Sequence, residues 1–217
     1  MLKIKNGVWA LILVLFTQNV FALQERHLIL IRHGEAEHNT AHQYHSNPKH
    51  SNYKPSHLTQ KGRTEVENTS ELLLTYGFDN RSIVAVYVSP LPSAIETAQL
   101  LAKIGVFSED KIHVEERLID RQMGDREGET ESKYKTDKWW VGINEAKSFD
   151  GESNDDVRKR LLAFYDEIEK KHEKGHVIFI THGVPSLEVI EGLTKNKIKL
   201  QTAQAFLLPL TPRKHIS

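Results

Sequence analysis

The chain has 217 residues, no cysteine, and 29 basic side chains balanced by 29 acidic ones. That balance excludes a global field for nucleic acid or an anionic membrane surface, and the missing thiol excludes a cysteine nucleophile, an iron–sulfur cluster and a cysteine zinc site. A composition 39% hydrophobic and 27% charged is that of one soluble globular domain with a real core.

The first 22 residues have their own grammar. Lys3 and Lys5 precede an apolar run over 8–16, and Val20-Phe21-Ala22 closes the stretch with a small residue. This is the pattern of a secretory signal, with cleavage expected after Ala22 and the folded domain over 23–217. The run is too short to remain as a comfortable membrane span, so a periplasmic or secreted protein with no stable membrane insertion is expected.

Residues 27–31 read as a fully buried strand, and 40–57 as a polar loop rich in His, Asn and Ser. Apolar spacing predicts a helix over 59–76 stopped by Gly77, then a β-branched strand over 83–88 and a helix over 92–104. Residues 112–114 make a short strand, and 115–148 an extended loop with local helical turns. Ser153 with Asp156 forms a capping box opening a helix whose apolar stripe is Val157, Leu161, Phe164, Tyr165 and Ile168. A buried strand over 177–180, a helix over 185–193 and a strand over 203–208 complete the order. Alternating strands and helices, with strands apolar throughout, predict an α/β domain whose sheet is covered on both faces.

In such sheets the ligand site lies beyond the carboxyl ends of the strands. Three polar clusters fall there: Arg32-His33-Gly34, Ser89-Pro90 and Thr181-His182-Gly183. Two histidines each follow a buried strand and precede a glycine. If the strands are neighbours, both imidazoles share a pocket with a guanidinium, a set suited to a tetrahedral anion. The histidines of the 40–57 loop (His42, His45, His50, His57) lie on no stiff element and are read as a substrate rim or a solvated loop rather than a metal site.

These motifs are similar to those of the histidine phosphatase superfamily, the phosphoglycerate-mutase-like proteins. Arg32-His33-Gly34-Glu35 with Asn39 resembles the RHG signature, and Leu58-Thr59-Gln60-Lys61-Gly62 its LTxxG helix start. Ser89-Pro90-Leu91 with Ala94 and Thr97-Ala98 resembles its SPLxRAxxTA stretch. The segment from Asp120 to Gly128 resembles its acid loop, Gly151-Glu152-Ser153 its GES, and Thr181-His182-Gly183 its second histidine. The resemblance implies a three-layer α/β/α domain around a mostly parallel sheet, and an enzyme hydrolysing phosphomonoesters without a metal or other cofactor. It implies His33 as the nucleophile, with its other ring nitrogen donating to a backbone carbonyl. Arg32, His182 and Gly183 would hold the phosphoryl oxygens, Asn39 would add a donor, and Asp120 would be the general acid. The chain departs from the pattern at Ser93, where the family carries a second phosphate-binding arginine; Arg121 or Arg63 is the candidate substitute. The expected partner is a small phosphomonoester or a phosphopeptide, with no nucleic acid. Two alternatives stand beside hydrolysis: phosphotransfer of the mutase type, and a non-catalytic phosphate-binding member.

Overall fold

A computed structural model describes residues 25–134 and 149–211. The expected signal segment and part of the extended loop expected over 115–148 lie outside the described residues. The elements run β1 (His27–Arg32), α1 (Glu37–Ala41), α2 (Gln60–Thr75), β2 (Ile83–Val88), α3 (Pro92–Ile104), β3 (Ile112–Val114), α4 (Asn154–Lys171), β4 (His176–Thr181), α5 (Gly183–Thr194) and β5 (Ala205–Pro209). The sheet order is β3-β2-β4-β1-β5, parallel except for β5. Among the described residues no helix is long and apolar enough to cross a membrane.

Why the strands are apolar throughout is visible in the core. Successive strand side chains point to opposite faces. Leu28, Leu30, Tyr87, Val177 and Phe179 pack on one face against the stripe of α4 and against Val189 and Ile190 of α5. Ile29, Ile31, Val86, Val88, Ile178 and Ile180 pack on the other against Val66 and Leu73 of α2 and Ala94, Ala98 and Leu101 of α3. Both faces are therefore dry, and the result is three layers, α/β/α.

Local signals set most boundaries. Thr59 caps α2, its hydroxyl accepting the Gly62 N–H at 3.0 Å. Ser153 and Asp156 exchange bonds of 3.1 and 3.2 Å at the start of α4, so aspartate serves where a capping box usually has Glu or Gln. Three features differ from expectation by more than a residue. A single helical turn, α1, opens at Glu37 just before the expected loop. Helix α5 begins at Gly183 rather than near 185, because Pro185 tolerates the first turn and His182 already has the extended backbone of an N-cap. Strand β5 starts at Ala205 because Ala203 takes a left-handed φ of 57° and turns its N–H onto the His33 carbonyl.

One close approach positions the loop that follows β1. An added Cβ at Gly34 would lie 2.6 Å from the Gly62 carbonyl oxygen, and one at Gly62 would lie 2.0 Å from that of Glu35. Only glycines let the loop rest on the first turn of α2. Gly62→Ala is expected to cost about 3 kcal/mol or more in thermal or urea unfolding, since the clash is with backbone.

Candidate active site

The parallel pairing of β1 with β4 puts Arg32 opposite Thr181, so the residues after each strand emerge side by side. His33 and His182 meet with ring centroids 4.9 Å apart, both about 1% exposed. Ser89, at the end of β2 on the far side of β4, reaches His182 Nε2 at 2.8 Å. The three expected clusters thus converge, although the two histidines stand 149 positions apart in the chain.

Hydrogen-bond economy fixes the tautomers. His33 Nδ1 lies 2.7 Å from the Gly34 carbonyl oxygen, which only accepts. The proton is therefore on Nδ1, and Nε2 carries a lone pair. Burial, aided by His182 and Arg32, holds the His33 pKa well below its ordinary value and keeps the ring neutral. For His182, the Ser89 hydroxyl already accepts the Leu91 N–H at 3.3 Å, and its own proton has no other acceptor among the described residues. It donates to His182 Nε2, which places an N–H on Nδ1. That Nδ1 is buried without a partner among the described residues.

A cavity of about 920 Å³ opens on this cluster, bounded by Arg32, His33, Asn39, Asp120, Arg121 and the start of α5 at Gly183 and Val184. Arg32 gives one guanidinium nitrogen to the Leu200 carbonyl at 2.9 Å, and its Nε is buried without a partner among the described residues. Arg121 likewise holds Asn154 Oδ1 at 2.9 Å while its Nε has no partner among the described residues. The guanidinium of Arg32 lies against Gly183: a Cβ added there would be 3.5 Å from Cζ. The first-turn N–H groups of a helix have no intrahelical acceptor and its dipole favours an anion, so α5 adds to the same field. Asn39 turns its Oδ1 onto the Ala36 N–H at 2.9 Å, which leaves its amide donors without an acceptor among the described residues. Buried donors without acceptors cost free energy unless a ligand satisfies them. Arg32, Arg121 and Asn39 bound the cavity together with His33, whereas His182 is not among the bounding residues and joins the cluster through its ring contact with His33.

Asp120, expected as the general acid, bounds the cavity. Its Oδ1 accepts the Arg121 N–H at 2.8 Å, and desolvation raises its pKa despite the charges of Arg121 and Arg32 and the nearby His38. A carboxyl with a raised pKa holds a proton available for transfer.

Residues 28–211 match the sequence profile of the histidine phosphatase superfamily, branch 1. The chain belongs to this superfamily. It is 27% identical over 164 residues to phosphoserine phosphatase 1 of Hydrogenobacter thermophilus, covering 73% of this chain and 71% of that protein. The structure resembles Bacillus stearothermophilus YhfR at 26% identity and a TM-score of 0.66, covering 79% of this chain and 81% of that one. It shares the fold of a phosphoglycerate mutase from Bacillus anthracis at 22% identity, with a TM-score of 0.67 over 86% of this chain and 89% of that one.

Not every residue expected at a histidine phosphatase site reaches the cavity. Ser93, expected among the substrate-binding residues, is 2% exposed in the first turn of α3 and does not bound the cavity. Its carbonyl accepts the Thr97 hydroxyl at 2.8 Å, and Thr97 Oγ1 accepts the Gly34 N–H at 3.1 Å, so it acts on the loop only through Thr97. Arg63 pairs with Glu96 at 3.1 Å, also off the cavity. Glu35 holds Thr59 and Lys61 at 2.9 and 2.6 Å, bracing the loop rather than facing the cavity. Of the loop histidines, His42 and His45 bound the cavity, whereas His57 pairs with Glu96 and His50 accepts the Asn52 N–H of its own turn. That loop is held in place: buried Glu127 accepts the Ser46 N–H and hydroxyl at 2.8 and 2.6 Å.

His38, which no sequence motif marks, also bounds the cavity, its ring 5.3 Å from that of His33. Its signal was faint: a histidine next to Asn39, turned inward only because the chain coils into α1.

Proposed function

We propose that this protein is an exported phosphatase that hydrolyses small phosphomonoesters through a phosphohistidine on His33. One observation carries the reading: the neutral His33 ring presents an Nε2 lone pair beside the unpartnered donors of Arg32, Arg121 and His182. A phosphate dianion satisfies all of them at once. Nε2 attacks phosphorus in line and the bond to the leaving oxygen breaks, with Asp120 giving that oxygen its proton. The same carboxylate then takes a proton from water, which attacks phosphorus, breaks the P–N bond and frees inorganic phosphate and His33. Arg32, Arg121 and His182 hold the equatorial oxygens throughout. The cavity has room for an organic group beyond the phosphate, and the relationship to a phosphoserine phosphatase supports phosphorylated amino acids as first substrates to try. Export rests on the N-terminal pattern alone.

The test is turnover of the purified protein on phosphoserine, sugar phosphates, nucleotides and phosphopeptides, with acid quench to trap an acid-labile phosphoprotein. Phosphate release with a trapped intermediate is expected. Folded protein that binds phosphate but releases none across the panel overturns the hydrolase reading in favour of a binding member, the reading that the buried Ser93 favours. Asp120→Asn is expected to lower kcat by about 10²–10⁴-fold. Because the raised pKa marks the protonated carboxyl as the working form for the first step, the wild-type rate falls as pH rises through it. In the variant that alkaline limb is lost.

A further inference from the structure

We infer that His38 is a further phosphate-binding residue, a neutral Nε2–H donor locked by Ser56 as His182 is locked by Ser89. The inference rests on the phosphate site proposed above and adds a member to it.

Ser56 is 5% exposed, and its hydroxyl oxygen meets two groups of His38: the backbone N–H at 3.0 Å and ring Nδ1 at 2.8 Å. A hydroxyl has one donor and two acceptor positions. The backbone N–H takes one acceptor. If Nδ1 also donated, the serine proton would be left in a buried place with no acceptor among the described residues, a cost of the kind folded proteins avoid. The arrangement that satisfies every group has Ser56 donating to Nδ1, which puts the ring proton on Nε2. His38 bounds the cavity, its ring 5.3 Å from that of His33, so the remaining N–H serves the ground where phosphorus must sit.

The electrostatics agree. Burial and the neighbouring His33 lower the His38 pKa to about 3, so the empty site holds a neutral donor rather than a cation. The same logic operates twice. Ser89 and Ser56 come from different loops, each accepts a backbone N–H, and each spends its own proton on an imidazole beside His33. The nucleophile therefore has two neutral imidazoles beside it, and neither competes with it for protons. Asp120 lies within electrostatic reach of His38, which sets the new donor on the side of the acid.

Two substitutions separate donation from packing. Gln carries an N–H at the reach of Nε2 without the ring; Phe keeps the ring without the N–H. Inorganic phosphate binding by calorimetry and kcat/KM on p-nitrophenyl phosphate are the readouts. His38→Phe is expected to weaken phosphate binding by roughly 10–100-fold, the scale of a hydrogen bond to a charged group, while His38→Gln stays within about threefold of the parent. Ser56→Ala is expected to weaken binding by a few-fold in the parent and to do nothing further in His38→Phe, because the two act as one unit. Phe tolerated and Gln damaging, with melting temperatures unchanged, overturns the inference in favour of packing. Phosphate binding sensitive to His38→Phe in a protein that shows no turnover keeps this inference and overturns hydrolysis. Normal turnover with His38→Phe indistinguishable from the parent does the reverse.

Discussion

His33→Ala is expected to abolish phosphate release and the acid-labile phosphoprotein together, with a loss of about 10⁴-fold or more. The size follows from what the ring does. It supplies the attacking atom, so every other group in the pocket loses its purpose with it. The substitution is tolerable structurally: the Nδ1 contact is to the adjoining Gly34 carbonyl, not to a distant element. Removing a buried neutral imidazole leaves Arg32, Arg121 and His182 in place, so inorganic phosphate binding should persist. His33→Ala that retained phosphoprotein would remove His33 as the phosphorylated residue. Full turnover would remove the mechanism.

A steep loss of stability below pH 6.5 is the second large effect. Burial depresses the folded pKa of His33, His38 and His182. As pH falls below the unfolded value, near 6.5, the unfolded chain takes up protons that the folded protein refuses. Stability is therefore present at neutral pH and lost on acidification, by about 1.4 kcal/mol per pH unit for each group. Three such groups give roughly 4 kcal/mol per unit once pH is well below 6.5. Asp120 acts in the opposite sense. Its folded pKa is raised, so it contributes stability below its unfolded value and loses it as pH rises through the folded one. It offsets about one histidine over part of the range. Melting temperature is expected to drop by roughly 10 °C per pH unit between pH 6 and 5. His182→Asn should flatten that slope by about a third. A melting temperature unchanged from pH 7 to 5 would show that these rings are not held neutral by the fold.

Most of the architecture was legible because it follows from local rules. Strand β2 and helix α3 stand at the expected residues, the first from a β-branched run and the second from apolar spacing closed by Gly105, whose φ is 100°. What escaped were features without a local signal. Helix α1 is one turn with no apolar stripe, so periodicity was silent. The loop over 42–46 looked unattached because nothing local reveals that Glu127, 81 residues on from Ser46, reaches back to hold it.

The standing of Arg32, His33 and His182 at strand ends, and the burial of the central strands β1, β2 and β4, follow from residue type and spacing: an apolar run decides burial, and a motif decides which side chain stands at a strand end. The sequence also determined that Ser93 brings no charge. Only the tertiary structure decided that Ser93 turns away from the cavity, that Arg121 faces it, and that Ser89 and Ser56 set the protons of His182 and His38. The reason is physical. Tautomers and orphaned donors are properties of hydrogen-bond partners drawn from different loops, and those partners become neighbours only when β2, β4 and β1 lie side by side.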